Sequence, residues 1–87
     1  MKIVRNYNKT LTVDLHGMRA NELKPRLETM IESNRIGDCE KLILIHGFNN
    51  GTALRDVIRN DLSSSRIKSI QNGSNSGETV ILLKAKK

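Results

Sequence analysis

Cysteine, proline, aromatic residues and histidine are all scarce in this 87-residue chain. Each scarcity removes a class of explanation. Cys39 is the single cysteine, so no internal disulfide can form and a reducing cytoplasm is the expected setting. One cysteine and two histidines do not make the four-ligand cluster of a structural zinc site. Tyr7 and Phe48 are the only aromatic residues, which leaves little for stacking-based recognition of single strands. Long apolar runs are missing too. None approaches the roughly 20 residues that span a bilayer, and MKIVRNYNK at the start lacks the apolar run of a secretion signal. Neither repeats nor low-complexity tracts interrupt the chain.

Positive charge, in contrast, is abundant. Fifteen Lys and Arg oppose nine Asp and Glu, a formal net charge of +6. In one small domain that field favours a polyanionic partner, RNA or DNA, over a membrane core or an acidic ligand pocket. Charge alone carries no specificity.

The hydrophobic pattern predicts one α/β domain over residues 11–84, between an N-terminal extension (1–10) and a basic tail (85–87). LTVDL at Leu11–Leu15 alternates as a half-buried strand. Leu23, Leu27, Met30 and Ile31 form one helical stripe between about Asn21 and Arg35. Pro25 fits near the first turn, where its missing N–H is not needed, and Gly37 is a plausible stop. LILI at Leu42–Ile45 reads as a central strand. Leu54, Val57, Ile58 and Leu62 predict a helix from about Thr52 to Ser64, capped by Thr52 or Asn50. Ile67–Gln71 and Thr79–Lys84 read as a hairpin joined by the NGSNSG turn.

The order is β-α-β-α-β-β. Right-handed crossovers make the first two strands parallel and put both helices on one face of a four-stranded mixed sheet, a two-layer sandwich. Leu42–Ile45 and the last strand are apolar on both sides. The open face therefore needs cover, either from Met1–Val4 folding back or from a second copy in a homodimer.

Both histidines end apolar runs and precede a glycine: VDLHG at Val13–Gly17 and LILIHG at Leu42–Gly47. Parallel strands bring those ends to one sheet edge, where open α/β sheets bind ligands. Gly47 and Gly51 let the backbone turn sharply and approach a ligand. The helix that follows His46 offers its N–H groups to phosphate. Asp14 shares a strand face with His16 and can orient its ring. Arg19 and Arg55 lie just beyond the strand ends and suit phosphate. Phe48 can stack on a base or pack against the sheet edge.

VDLHG, LILIHG with its glycine loop, ALRDVI and the closing TVILLK together resemble the small MutS-related (Smr) domain over roughly Leu11 to Lys84. That family carries an L-D-L-H-G motif on its first strand and H-G-x-G-x-G-x-L-R after its second. The resemblance implies an α/β sandwich similar to the C-terminal domain of a bacterial translation initiation factor. It also implies nucleic-acid cleavage, since known members nick DNA or cut RNA, some of them messenger RNA at stalled ribosomes. By the same resemblance Asp14 and His16 are catalytic, and His46, Gly47, Gly51 and Arg55 shape the phosphate site. The shared strand-end edge adds His46 as a third catalytic candidate and Gly17, Arg19, Phe48, Asn49 and Asn50 as further nucleic-acid-binding candidates. HGFNNGTALR departs from the pattern in two ways. Asn49 stands at the middle glycine, and one extra residue separates Gly51 from Leu54-Arg55.

Four readings remain open on sequence. A metal-free phosphodiesterase would use His16 as base, Asp14 as its support, and His46 or a lysine at the leaving oxygen. A second version has Asp14 and His16 hold a divalent ion. A third is a nucleic-acid-binding module without chemistry. The last is a protein-interaction domain using the open sheet face.

Overall fold

The computed structural model describes residues 2–7, 9–15, 17–33, 39–47, 51–74 and 77–84, with the backbone alone at 4–7, 51 and 52. Strand β1 (Lys2–Tyr7) leads into β2 (Thr10–Asp14), α1 (Ala20–Glu32) and β3 (Lys41–Ile45). Helix α2 (Gly51–Asp56) continues as a π-helical segment, Val57–Asp61, and the chain closes with β4 (Ile67–Asn72) and β5 (Glu78–Leu83). The strands lie in the order β1-β2-β3-β5-β4. Strands β2 and β3 are parallel, and every other neighbouring pair is antiparallel.

The sheet thus has five strands, where the sequence predicts four. The extra one is β1. KIVRNY lacks clean alternation, but an edge strand needs only one neighbour and little burial. Ile3 is 55% exposed, and the register shifts between Ile3 and Arg5. The N-terminal stretch therefore widens the sheet. It does not fold back over the open face.

Helix α1 packs on α2 and its π-helical continuation, and the two helices cover one face. Leu23, Leu27, Met30 and Ile31 of α1, Leu54 of α2 and Ile58 of its π-helical continuation pack onto Leu11, Val13, Leu42, Leu44, Ile81 and Leu83 of the sheet. The helical stripe and the alternation of Leu11 and Val13 select their positions, whereas in the strands that are apolar on both sides only the structure tells Leu42, Leu44, Ile81 and Leu83 from their neighbours. Pro25 differs from expectation: α1 begins at Ala20, so Pro25 falls in its second turn. It has no N–H to offer the Asn21 carbonyl. Gly37, and the cap expected from Asn50 or the Thr52 side chain, lie outside what is described.

At the N-terminal ends of β2 and β3, Arg66 ties the layers together. Its Nη1 donates to the Ile31 carbonyl at 2.9 Å, which satisfies an orphan acceptor at the end of α1. Its Nη2 donates to the carbonyls of Cys39 (3.3 Å) and Lys84 (3.2 Å). One planar guanidinium reaches three separate elements, a geometry an ammonium does not provide.

Candidate nucleic-acid interface

The C-terminal ends of β2 and β3 lie at one sheet edge, as parallel pairing requires. The pairing runs to Asp14 opposite Ile45, and the Leu15 N–H continues it to the Ile45 carbonyl at 2.9 Å. Two or three residues beyond each strand comes a glycine with positive φ: 79° at Gly17 and 81° at Gly47. This explains the repeated His-Gly. Both chains must turn sharply at the edge, and the left-handed conformation is open to glycine at no steric cost. After Gly17, the Met18 N–H donates to the Leu15 carbonyl at 3.0 Å, which closes the first turn.

The β4–β5 hairpin reaches the same edge. Gly77 presents its carbonyl to the N–H groups of both His46 and Gly47, each at 3.0 Å. Gly73 sits where a Cβ would lie 2.5 Å from the Glu78 Cβ, so this hairpin closes only with glycine there.

Asp14 is half-buried on the sheet face away from the helices, between the fully buried Val13 and Leu15. His46 is elsewhere. It follows Ile45, so its side chain turns to the helix-covered face, where it is 5% exposed. There Nδ1 lies 3.2 Å from the Gly47 carbonyl and Nε2 lies 2.9 Å from the Thr79 hydroxyl. A carbonyl only accepts, so in the neutral ring Nδ1–H donates to Gly47 and Nε2 accepts the Thr79 hydroxyl proton. Asp14 and His46 thus share an edge but occupy opposite faces of the sheet. His16, Phe48, Asn49 and Asn50 lie outside the described residues.

Arg19 is exposed at the N-cap of α1 and spends no side-chain hydrogen bond on capping. Arg55 is part-exposed on α2, 3.9 Å from Asp56, and Gly51 begins that helix. Arg59, one turn beyond Arg55, donates to the Asn72 side-chain oxygen at the end of β4. Sequence reading missed Thr79 and Gly77. Thr79 sits 33 positions from its partner inside an apolar strand, and only the register opposite Leu44 reveals its role. Among the described residues no helix is long and apolar enough to cross a membrane.

The Smr domain family model matches residues 13–84. The chain belongs to the Smr domain family. Smr domains are nucleic-acid-binding modules. The structure is similar to the crystal structure of the Smr domain of Thermus thermophilus MutS2, at 26% sequence identity and a TM-score of 0.64. That similarity covers 84% of this chain and 96% of the other. No curated protein matches the sequence.

Proposed function

We propose that this Smr domain binds RNA or DNA and cleaves a phosphodiester bond of it at the edge where β2 and β3 end. The observation that carries the reading is Asp14. It closes β2 on the open face, two residues before His16 and beside the turn at Gly17. A carboxylate there can hold an imidazole by its N–H and stabilise the ring once protonated.

On RNA the chemistry needs no outside reagent. His16 takes the proton of a ribose 2′-OH while that oxygen attacks the phosphorus. The P–O5′ bond breaks, a 2′,3′-cyclic phosphate forms, and the 5′ oxygen leaves with a proton from a lysine. Lys2, opposite Asp14 in the β1–β2 register, is the lysine assigned that part. Arg19 and Arg55 hold the phosphates, Gly17 and Gly51 let the backbone approach them, and Phe48, Asn49 and Asn50 are further contact candidates from the sequence. Gly47 shapes the turn and binds no phosphate itself, since its N–H is taken by the Gly77 carbonyl. Positioning and charge stabilisation carry most of such a reaction. The buried ring of His46 supports a positioning role. It fixes the Gly47 turn and donates no proton to the leaving oxygen. In the metal-assisted version of the same cleavage, Asp14 and His16 would hold a divalent ion.

A second reading is binding without cleavage. Its support is HGFNNGTALR, where Asn49 and the added residue alter the phosphate loop. One assay separates the two: purified protein with end-labelled single-stranded, duplex and branched RNA and DNA, with and without excess chelator. Cleavage that His16→Ala abolishes with the fold intact is the expected result. Shifted but uncut substrate establishes the binding-only reading. Products formed at the wild-type rate by His16→Ala remove His16 from the mechanism, and loss of cleavage in chelator establishes the metal-assisted version.

A further inference from the structure

The helices do not carry the excess positive charge. Helix α1 holds Lys24 and Arg26 against Glu22, Glu28 and Glu32, and α2 with its continuation holds Arg55 and Arg59 against Asp56 and Asp61. The strands hold Lys2, Arg5, Lys41 and Lys68 against Asp14 and Glu78. The strands thus carry a positive excess of two and the helices a negative excess of one, and most of the net charge of +6 lies in the loops and termini.

Register sorts the open face into rows. Lys2, Asp14, Ile45 and Glu78 form the row at the strand ends. The next row joins Arg5, Thr12, Ile43, Val80 and Gln71, and the one after it Thr10, Lys41, Leu82 and Ser69. Both of the face's carboxylates lie in the first row. Among the described residues the other two contain none, and the third contains Lys41. Tyr7, one of two aromatic residues in the chain, takes the position opposite Thr10 in the third row. Through the middle run the half-buried aliphatic residues Ile43, Ile45 and Leu82, around Val80, which is only 8% exposed. They face away from the helices, and β1 extends the sheet beside them.

We infer that the open sheet face is a platform for single-stranded nucleic acid, which crosses the acid-free rows and delivers a phosphate to Asp14. The inference rests on the nucleic-acid reading above and adds the path and the strandedness. Charge complementarity selects the occupant. A polyanion that approaches over Lys41 meets no carboxylate until it reaches the edge. Those aliphatic residues select the unpaired form. A duplex offers its rim of phosphates, whereas splayed bases and sugars can lie on the half-buried Ile43, Ile45 and Leu82 and remove their remaining surface from water. Aliphatic side chains here take the part that aromatic ones play in stacking platforms.

The test compares variants by fluorescence anisotropy of a short labelled strand, free and annealed to its complement. Lys41→Glu and Arg26→Glu change net charge equally, one on the platform and one on exposed α1. The inference expects Lys41→Glu and Ile43→Asp each to weaken single-strand binding about tenfold or more. Arg26→Glu should stay within about twofold, and wild type should prefer the free strand to the duplex. Circular dichroism and melting confirm that each variant is folded. Equal losses for Lys41→Glu and Arg26→Glu overturn the inference, because only the global charge would then matter. Wild-type binding that survives both platform variants overturns the path and leaves the nucleic-acid reading standing. Failure of wild type to bind any strand overturns both. Light scattering that shows Ile43→Asp splitting a dimer assigns the face to a second copy and also overturns the inference.

Discussion

His46 Nε2 lies 2.9 Å from the hydroxyl of Thr79, joining two residues 33 positions apart beneath the helices. The pair is a polar island in an aliphatic core, since Thr79 is fully buried and His46 nearly so. With Gly77 holding the two N–H groups at His46 and Gly47, it binds the β4–β5 hairpin to the start of the glycine loop. The geometry of the strand-end edge depends on residues that belong to neither histidine-glycine motif.

Replacing Thr79 by Val removes the hydroxyl and leaves Nε2 of a buried ring without that partner. The expected cost is about 1–3 kcal/mol of unfolding free energy. Thr79→Ser keeps the hydroxyl and should recover most of the hydrogen-bond part of that loss. Urea denaturation of the two variants against wild type measures the difference. Equal stability of Thr79→Val and wild type would show that the hydrogen bond contributes nothing.

Gly17→Ala and Gly47→Ala test the strand-end turns. An added Cβ meets no heavy atom within 4 Å at either site, so any cost is conformational. Forcing alanine into the left-handed region should destabilise each variant by about 1–2 kcal/mol. Asn tolerates that region better and should cost less than Ala at both positions. Thermal melting of the four single variants gives the ranking.

Arg66→Met removes the donors to three carbonyls, those of Ile31, Cys39 and Lys84, at the end of the sheet remote from the site. The expected destabilisation is about 3 kcal/mol, with little change in the m-value. Arg66→Lys should rescue only a minor part, because one ammonium cannot reach acceptors fanned across three elements. Nucleic-acid affinity of the folded variant should fall by no more than the loss of one positive charge implies. Chemical denaturation and a binding titration check the two halves separately.

Glu28 supplies the pH dependence. Lys24, which donates to both its carboxylate oxygens, holds its pKa below the usual glutamate value of 4.5, and the Ser63 N–H lowers it further. A depressed carboxylate stabilises the fold fully above its unfolded-state pKa. That contribution fades as pH falls through the lower folded-state value. In Glu28→Gln the melting temperature should therefore decline less steeply than in wild type below pH about 4.5. Parallel curves for the two proteins would remove Glu28 from the acid response.

Alternation and helical spacing pick out β2, α1 and the buried stripe of α2 and its continuation, because each buries one face against the same core, and an unbroken apolar run picks out β3, because a central strand has neighbours on both sides. β1 escaped notice for the opposite reason: an edge strand satisfies its backbone on one side and buries little. Between Val57 and Asp61 the helix widens to π geometry, and the Leu62 N–H reaches back to the Val57 carbonyl at 3.1 Å. No local residue type signals that shift. Asp14 and the turns at Gly17 and Gly47 were legible at the site, since a strand stopping on glycine is a local event. The face that His46 occupies was not.

Sequence by itself determined the class of the fold, the parallel pair at its heart and the motifs of the Smr domain, because alternation, helical spacing and glycine placement act over a few neighbouring residues. Tertiary structure alone decided that a fifth strand widens the sheet, that His46 turns inward to Thr79, and that both carboxylates of the open face stand in its first row. Those outcomes depend on strand order and register, which bring together residues tens of positions apart. A side chain's face in a sheet reverses with every residue, so where a strand ends fixes what that side chain meets.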